Sequence, residues 1–102
     1  MRVLIKMSIG ENNISEDNMQ LAVEISLYPL HQEYVPYIQN FIDRLNTDKD
    51  LLVKTSHTST LVSGEFSYVM QMMQTQMRET FEQVGQAIFV CKFLNATHMN
   101  LD

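Results

Sequence analysis

The sequence is poor in the residues that mark several common protein classes. In 102 residues it has one cysteine, no tryptophan, two prolines and three glycines. A single cysteine, Cys91, excludes an intrachain disulfide and suits a reducing compartment. It stands in the strand-like run "IFVCKF", where a free cysteine ordinarily fills core space. There is no Cys-x-x-Cys, and His31, His57 and His98 lie in three separate segments, so neither a metal site nor a cofactor is expected. None of the glycines falls in the G-x-G spacing of a phosphate-cradling loop. Cations are few: seven Lys plus Arg against twelve Asp plus Glu give a formal charge of -5, with no basic cluster. Because a polyanion is held by concentrated cations, nucleic acid is not an expected partner. Long apolar runs are lacking too. Nothing approaches the ~20 residues that span a bilayer. The opening "MRVLIKMSIGENN" is too short and interrupted for the centre of a signal peptide. A cytoplasmic protein without membrane insertion is expected.

What is present is ordinary globular composition, 45% hydrophobic and 19% charged, at a length that fits one domain. Residues 1–19 look like a separate extension: "RVLIKMSI" reads as a short strand or flexible arm and "GENNISEDN" as polar turn. From Gln20 the pattern tightens. Val23, Ile25 and Leu27 alternate with Glu24, Ser26 and Tyr28, the mark of a strand with one buried face, and Pro29 is expected to end it. Tyr34, Ile38, Phe41, Ile42 and Leu45 recur at helical steps, with Pro36 in the first turn. "LLVKTS" and "STLVSG" read as two strands joined by a tight turn at "SHT".

After Gly64, the residues Phe66, Val69, Met70, Met73, Met77, Phe81 and Val84 repeat over about five turns, with Gly85 where a left-handed cap is expected. This spacing puts Met70, Met73 and Met77 on the core stripe and Met72 off it. "QAIFVCKFL" is the last strand, and the domain spans residues 20–95 before a polar tail, 96–102. The order strand, helix, strand, strand, helix, strand predicts an α+β ferredoxin-like βαββαβ plait. That fold is a four-stranded antiparallel sheet with two helices on one face.

Two helices cover only one side of such a sheet, yet the last strand is apolar on both. A continuously apolar strand implies cover on both sides. The economical cover is a second copy, giving a homo-oligomer through the sheet face. The plain reading of Glu24, Ser26 and Tyr28 is a solvated face. The hydroxyl-rich "KTSHTST" places Thr58, Ser59 and Thr60 on or beside strands of the same sheet, and this group together can line a small polar pocket with one aromatic wall. Ser56 and Ser59 flank His57, but neighbours on a turn point apart, so no nucleophile–base pair and no enzyme is expected.

"VEISLYPL", followed by "STLVSG" and an amphipathic helix, resembles the thiamine-binding YkoF-like family of small ferredoxin-like proteins. The likeness rests on Ser26, Tyr28, Pro29 and Leu30, then on Ser59, Thr60, Gly64 and Glu65. It implies sheet-to-sheet dimers or tetramers that bind thiamine or its hydroxymethylpyrimidine moiety as a carrier or sensor in uptake or salvage. On that reading Glu24, Ser26, Tyr28, Thr58, Ser59 and Thr60 form the ligand site, with Glu24 reading the pyrimidine amine and Tyr28 packing on the ring. The alternative is a structural or regulatory oligomer whose sheet face holds only a partner chain.

Overall fold

The structure, a computed structural model, describes residues 19–101. The extension expected over residues 1–19 lies outside the described residues, except for Met19. The elements are β1 (Gln20–Pro29), α1 (Val35–Asn46), β2 (Leu52–Thr55), β3 (Thr60–Glu65), α2 (Phe66–Val84) and β4 (Ala87–Asn95). The strands form one antiparallel sheet in the order β2-β3-β1-β4, the ferredoxin-like arrangement that the order of elements predicts.

The register explains which side chains meet. Val23 faces Val62 on one side and Phe93 on the other, and Ile25 faces Thr60 and Cys91. With period-two alternation, Leu21, Val23, Ile25 and Leu27 turn to the helices, where all four are buried against Phe41 and Leu45 of α1 and Val69, Met72 and Met73 of α2. Each such side chain contributes about 1.5–3 kcal/mol by leaving water. Truncating the fully buried Phe41 to alanine is expected to cost about 3–5 kcal/mol.

Arg44 fastens α1 to α2. Its guanidinium donates to Asn40, Gln76, Thr80 and Gln83, pairs with Glu79 at 3.5 Å, and lies over the Phe41 ring. At the start of α2, the Glu65 carboxylate caps the helix by accepting from the backbone N–H groups of Ser67 and Tyr68. Gly85 ends α2 at φ 82, the positive φ expected of it.

Two expectations are corrected. In α2 the core stripe is Val69, Met72, Met73 and Thr80, so Met72 is buried and Met70 is 43% exposed. The helix is rotated toward its β3 side, because α2 packs over β3 and β1 as well as β4. Pro29 also belongs to β1, paired with Ala87, rather than stopping the strand before it. The reason lies in the ladder. Leu30 N–H bonds Gln86 C=O, so by alternation the ring nitrogen of Pro29 faces the β3 side, where no strand remains to want a donor.

Candidate functional site

β1 is ten residues long and β3 six, and their pairing ends at Ile25 and Thr60. Beyond that pair the sheet opens. The β2–β3 turn, residues 56–59, swings away from β1 and is tied back by two side chains. Ser26 Oγ donates to the Thr58 carbonyl across 3.1 Å, and Ser59 Oγ donates to Glu24 Oε2 across 3.2 Å. The turn itself is closed by Ser56 N–H to Ser59 C=O at 2.9 Å. In the gap, alternation aims the N–H and C=O of Leu27 toward β3, with no strand opposite them.

A cavity of about 540 Å³ lies behind this gap, between the sheet and the start of α1. Ile25, Leu27, Ile38, Phe41 and Ile42 make its apolar walls, and Tyr28 and Tyr34 stand at its aromatic side. Its polar wall is Ser26, Thr55 and the turn from Ser56 to Thr60. A smaller niche of about 280 Å³ lies on the open side of the sheet, bounded by Glu24, Ser26, Tyr28, Thr58, Ser59, Val90 and Lys92. Ser26, Tyr28, Thr58 and Ser59 line both spaces, which meet across the gap.

The six residues singled out from the sequence therefore divide. Glu24, Ser26, Tyr28, Thr58 and Ser59 come together at the open-side niche. Thr60 does not: it shares the inward side with Val62, is 4% exposed, and lines the cavity behind the sheet. Its hydroxyl has no hydrogen-bond partner among the described residues. The Glu24 carboxylate holds Ser59 and also pairs with Lys92 Nζ at 3.8 Å. Tyr34, Ile38, Ile42 and the Leu27 peptide line the cavity without having been expected there. The one available signal was the parity of Thr60 with Val62, which already placed that hydroxyl on the helix side.

The open side of the sheet carries exposed apolar residues as well. Tyr28, Ile88, Val90 and Leu94 are each about half exposed, and their register partners place all four on the side away from the helices. Among the described residues, no three His, Cys, Asp or Glu side chains group as metal ligands would, and no helix is long and apolar enough to cross a membrane.

A profile of the YKOF-related family matches residues 20–97. The chain belongs to that family. No curated protein matches it in sequence. Among solved structures, a Streptococcus pneumoniae protein superposes with a TM-score of 0.69 at 18% identity, over 74% of this chain and 86% of that one. A Thermotoga maritima protein assigned provisionally to thiamine biosynthesis or salvage gives 0.68 at 13% identity, over 80% and 90%. A hypothetical protein from Methanocaldococcus jannascii gives 0.65 at 18% identity, over 74% and 79%. At these identities the likeness is one of fold. The YKOF-related match, by contrast, spans every element from β1 to β4 and so takes in both sides of the gap.

Proposed function

We propose that this chain binds thiamine or its hydroxymethylpyrimidine moiety without changing it chemically, as a carrier or sensor in thiamine uptake or salvage. Family membership and the Thermotoga maritima relative support the ligand class. The observation that carries the reading is Thr60, a buried polar residue that lines the cavity and whose hydroxyl has no hydrogen-bond partner among the described residues. An unpartnered buried hydroxyl costs about 1–3 kcal/mol, a penalty that a polar ligand removes.

The chemistry of the gap suits an aminopyrimidine. Such a ring sets an amine donor beside a ring-nitrogen acceptor, and the Leu27 peptide offers the complement, a C=O beside an N–H. Thr60 supplies a further donor, and Tyr34 supplies aromatic surface for the ring. Size favours the cavity over the niche. Small-molecule pockets run from about 300 to 1,000 Å³, which admits the cavity and leaves the niche short. We therefore seat the ring behind the sheet, with Glu24 on the open side as a carboxylate for the thiazolium cation of thiamine.

A second copy over the open side, where Tyr28, Ile88, Val90 and Leu94 are exposed, completes the proposed assembly. Those same residues favour the second reading, an oligomer whose sheet face serves only self-association. Calorimetric titration and thermal shift with thiamine and with hydroxymethylpyrimidine separate the two. Ligand at 100 times its dissociation constant stabilises by about 2.7 kcal/mol. Neither heat nor a raised midpoint with either compound would overturn the binding reading and leave the oligomer.

A further inference from the structure

β1 carries one peptide that no strand uses. Leu30 N–H bonds Gln86 C=O and Ala96 N–H bonds Gln20 C=O, so the even-numbered residues of β1 turn their main-chain groups to β4 and the odd-numbered ones to β3. The ladder with β3 ends at Ile25 and Thr60, and Leu27 is next in the odd series. Its N–H and C=O have no hydrogen-bond partner among the described residues, although Leu27 is only 9% exposed. Pro29, which follows it, has no N–H to offer. Buried main-chain groups are paired in the great majority of cases, so a donor and an acceptor left open side by side call for an occupant of matching pattern. Leu27 lines the cavity of about 540 Å³, and so does Thr60, whose buried hydroxyl is likewise without a partner among the described residues.

We infer that the Leu27 peptide is the specificity-determining group of this cavity, and that it selects an aminopyrimidine over the same ring in its deaminated, oxo form. The inference rests on the binding reading above and sharpens it. In an extended strand the N–H and C=O of one residue project to the same side, as in the hydrogen-bonded pair of an antiparallel ladder. The amine of an aminopyrimidine donates to that C=O while the adjacent ring nitrogen accepts from the N–H.

The oxo ring carries a proton on that nitrogen. It therefore shows an acceptor where the amine was a donor, and a donor where the nitrogen was an acceptor. Each group then meets its like, and both peptide groups stay unsatisfied, the costly outcome for a buried pair. Turning the ring over restores the pattern but exchanges its methyl with its hydroxymethyl group. The cavity is uneven, with Ile38, Phe41 and Ile42 on its apolar side and Ser26, Thr55 and the turn on its polar side. A ring seated with its hydroxymethyl on the polar side loses that match when turned over. A site that recognises by hydrogen bonds rejects the wrong pattern more sharply than a site that recognises by shape alone.

The test is calorimetric titration of the full-length protein with hydroxymethylpyrimidine and with its deaminated oxo form. The wild type should bind the amino form at least tenfold more tightly. Two variants assign the cause. Leucic acid in place of residue 27 keeps the side chain and turns the amide into an ester, removing an N–H that no strand uses; the preference should fall at least threefold. Thr60→Val alters the neighbouring hydroxyl and leaves the peptide, so the preference should stay above tenfold. A wild-type preference below tenfold would overturn the inference and leave the binding reading standing. A preference that the ester lowers less than threefold, or that Thr60→Val brings below tenfold, would overturn the assignment to Leu27. Heat with neither compound would overturn binding itself, and this inference with it.

Discussion

Ser26 Oγ and the Thr58 carbonyl meet at 3.1 Å where β3 has parted from β1. This bond and the one from Ser59 to Glu24 hold the β2–β3 turn at a fixed distance from β1, and so set the width of the mouth between niche and cavity. Ser26→Ala removes the first tie. Because the bond is exposed, the stability loss should stay within about 1 kcal/mol. Affinity for hydroxymethylpyrimidine should fall three- to tenfold, since the turn no longer arrives pre-positioned. Titration calorimetry beside a urea melt checks both, and an unchanged affinity would separate the mouth from binding.

Thr60 gives a prediction with opposite signs for stability and function. Valine has nearly the same shape, so Thr60→Val leaves the packing beside Val62 intact while removing an unpartnered buried hydroxyl. Stability should rise by about 1–2 kcal/mol. Binding of hydroxymethylpyrimidine should weaken tenfold or more, because the ring loses a donor at the inner wall of the cavity. Urea melts and calorimetry read the two effects separately. A destabilised variant with full affinity would remove Thr60 from the site.

Most of the fold was legible because its signals are local and strong. Val23, Ile25 and Leu27 at period two, the α1 stripe through Phe41 and Leu45, and Gly85 at a positive φ each follow from neighbouring residues alone. Met70 and Met72 were exchanged because an apolar run wider than one stripe leaves the rotation of a helix to its neighbours, here β3 and β1. The site was half legible. Period two brought Glu24, Ser26 and Tyr28 to one side, but the gap comes from the unequal lengths of β1 and β3, which only the register reveals. For the same reason the Leu27 main chain went unnoticed, since no side-chain pattern reports an unpaired peptide.

On the proposed reading, Glu24 distinguishes the two halves of thiamine. Its carboxylate is half exposed, already accepts from Ser59 and pairs with Lys92, so it is placed to act on charge rather than to read a ring edge in the cavity. Glu24→Gln should weaken thiamine, a cation, three- to tenfold and leave neutral hydroxymethylpyrimidine within twofold. Equal losses for both compounds would place the pyrimidine amine at Glu24, on the open side of the sheet.

Tyr68 tethers the start of α2 to the α1–β2 connection by donating to Asp48 Oδ2 across 2.7 Å. That bond, together with burial and the nearby charges of Asp48 and Asp50, pushes its pKa up to about 12. A raised value means that the folded state favours the protonated phenol. The contribution is therefore full below the unfolded value of about 10 and is lost as pH rises toward 12. Tyr68→Phe should show a flatter decline in stability across that window than the wild type, in urea melts taken at stepped pH. Parallel declines would mean that the bond does not persist in solution.

Val90 tests the cover of the open side without disturbing the interior. It stands opposite Ser26, is 49% exposed, and takes no part in the core between sheet and helices. An aspartate there stays solvated in a monomer but faces desolvation, and its symmetry-related copy, in a sheet-to-sheet dimer. If the proposed sheet-to-sheet assembly forms, Val90→Asp should therefore give monomers in light scattering while leaving the far-UV spectrum unchanged. Should the pyrimidine sit in the cavity behind the sheet, those monomers will still bind hydroxymethylpyrimidine. Should it need the seam between copies, affinity and assembly will be lost together. A wild type already monomeric at high concentration would remove the sheet-to-sheet contact altogether.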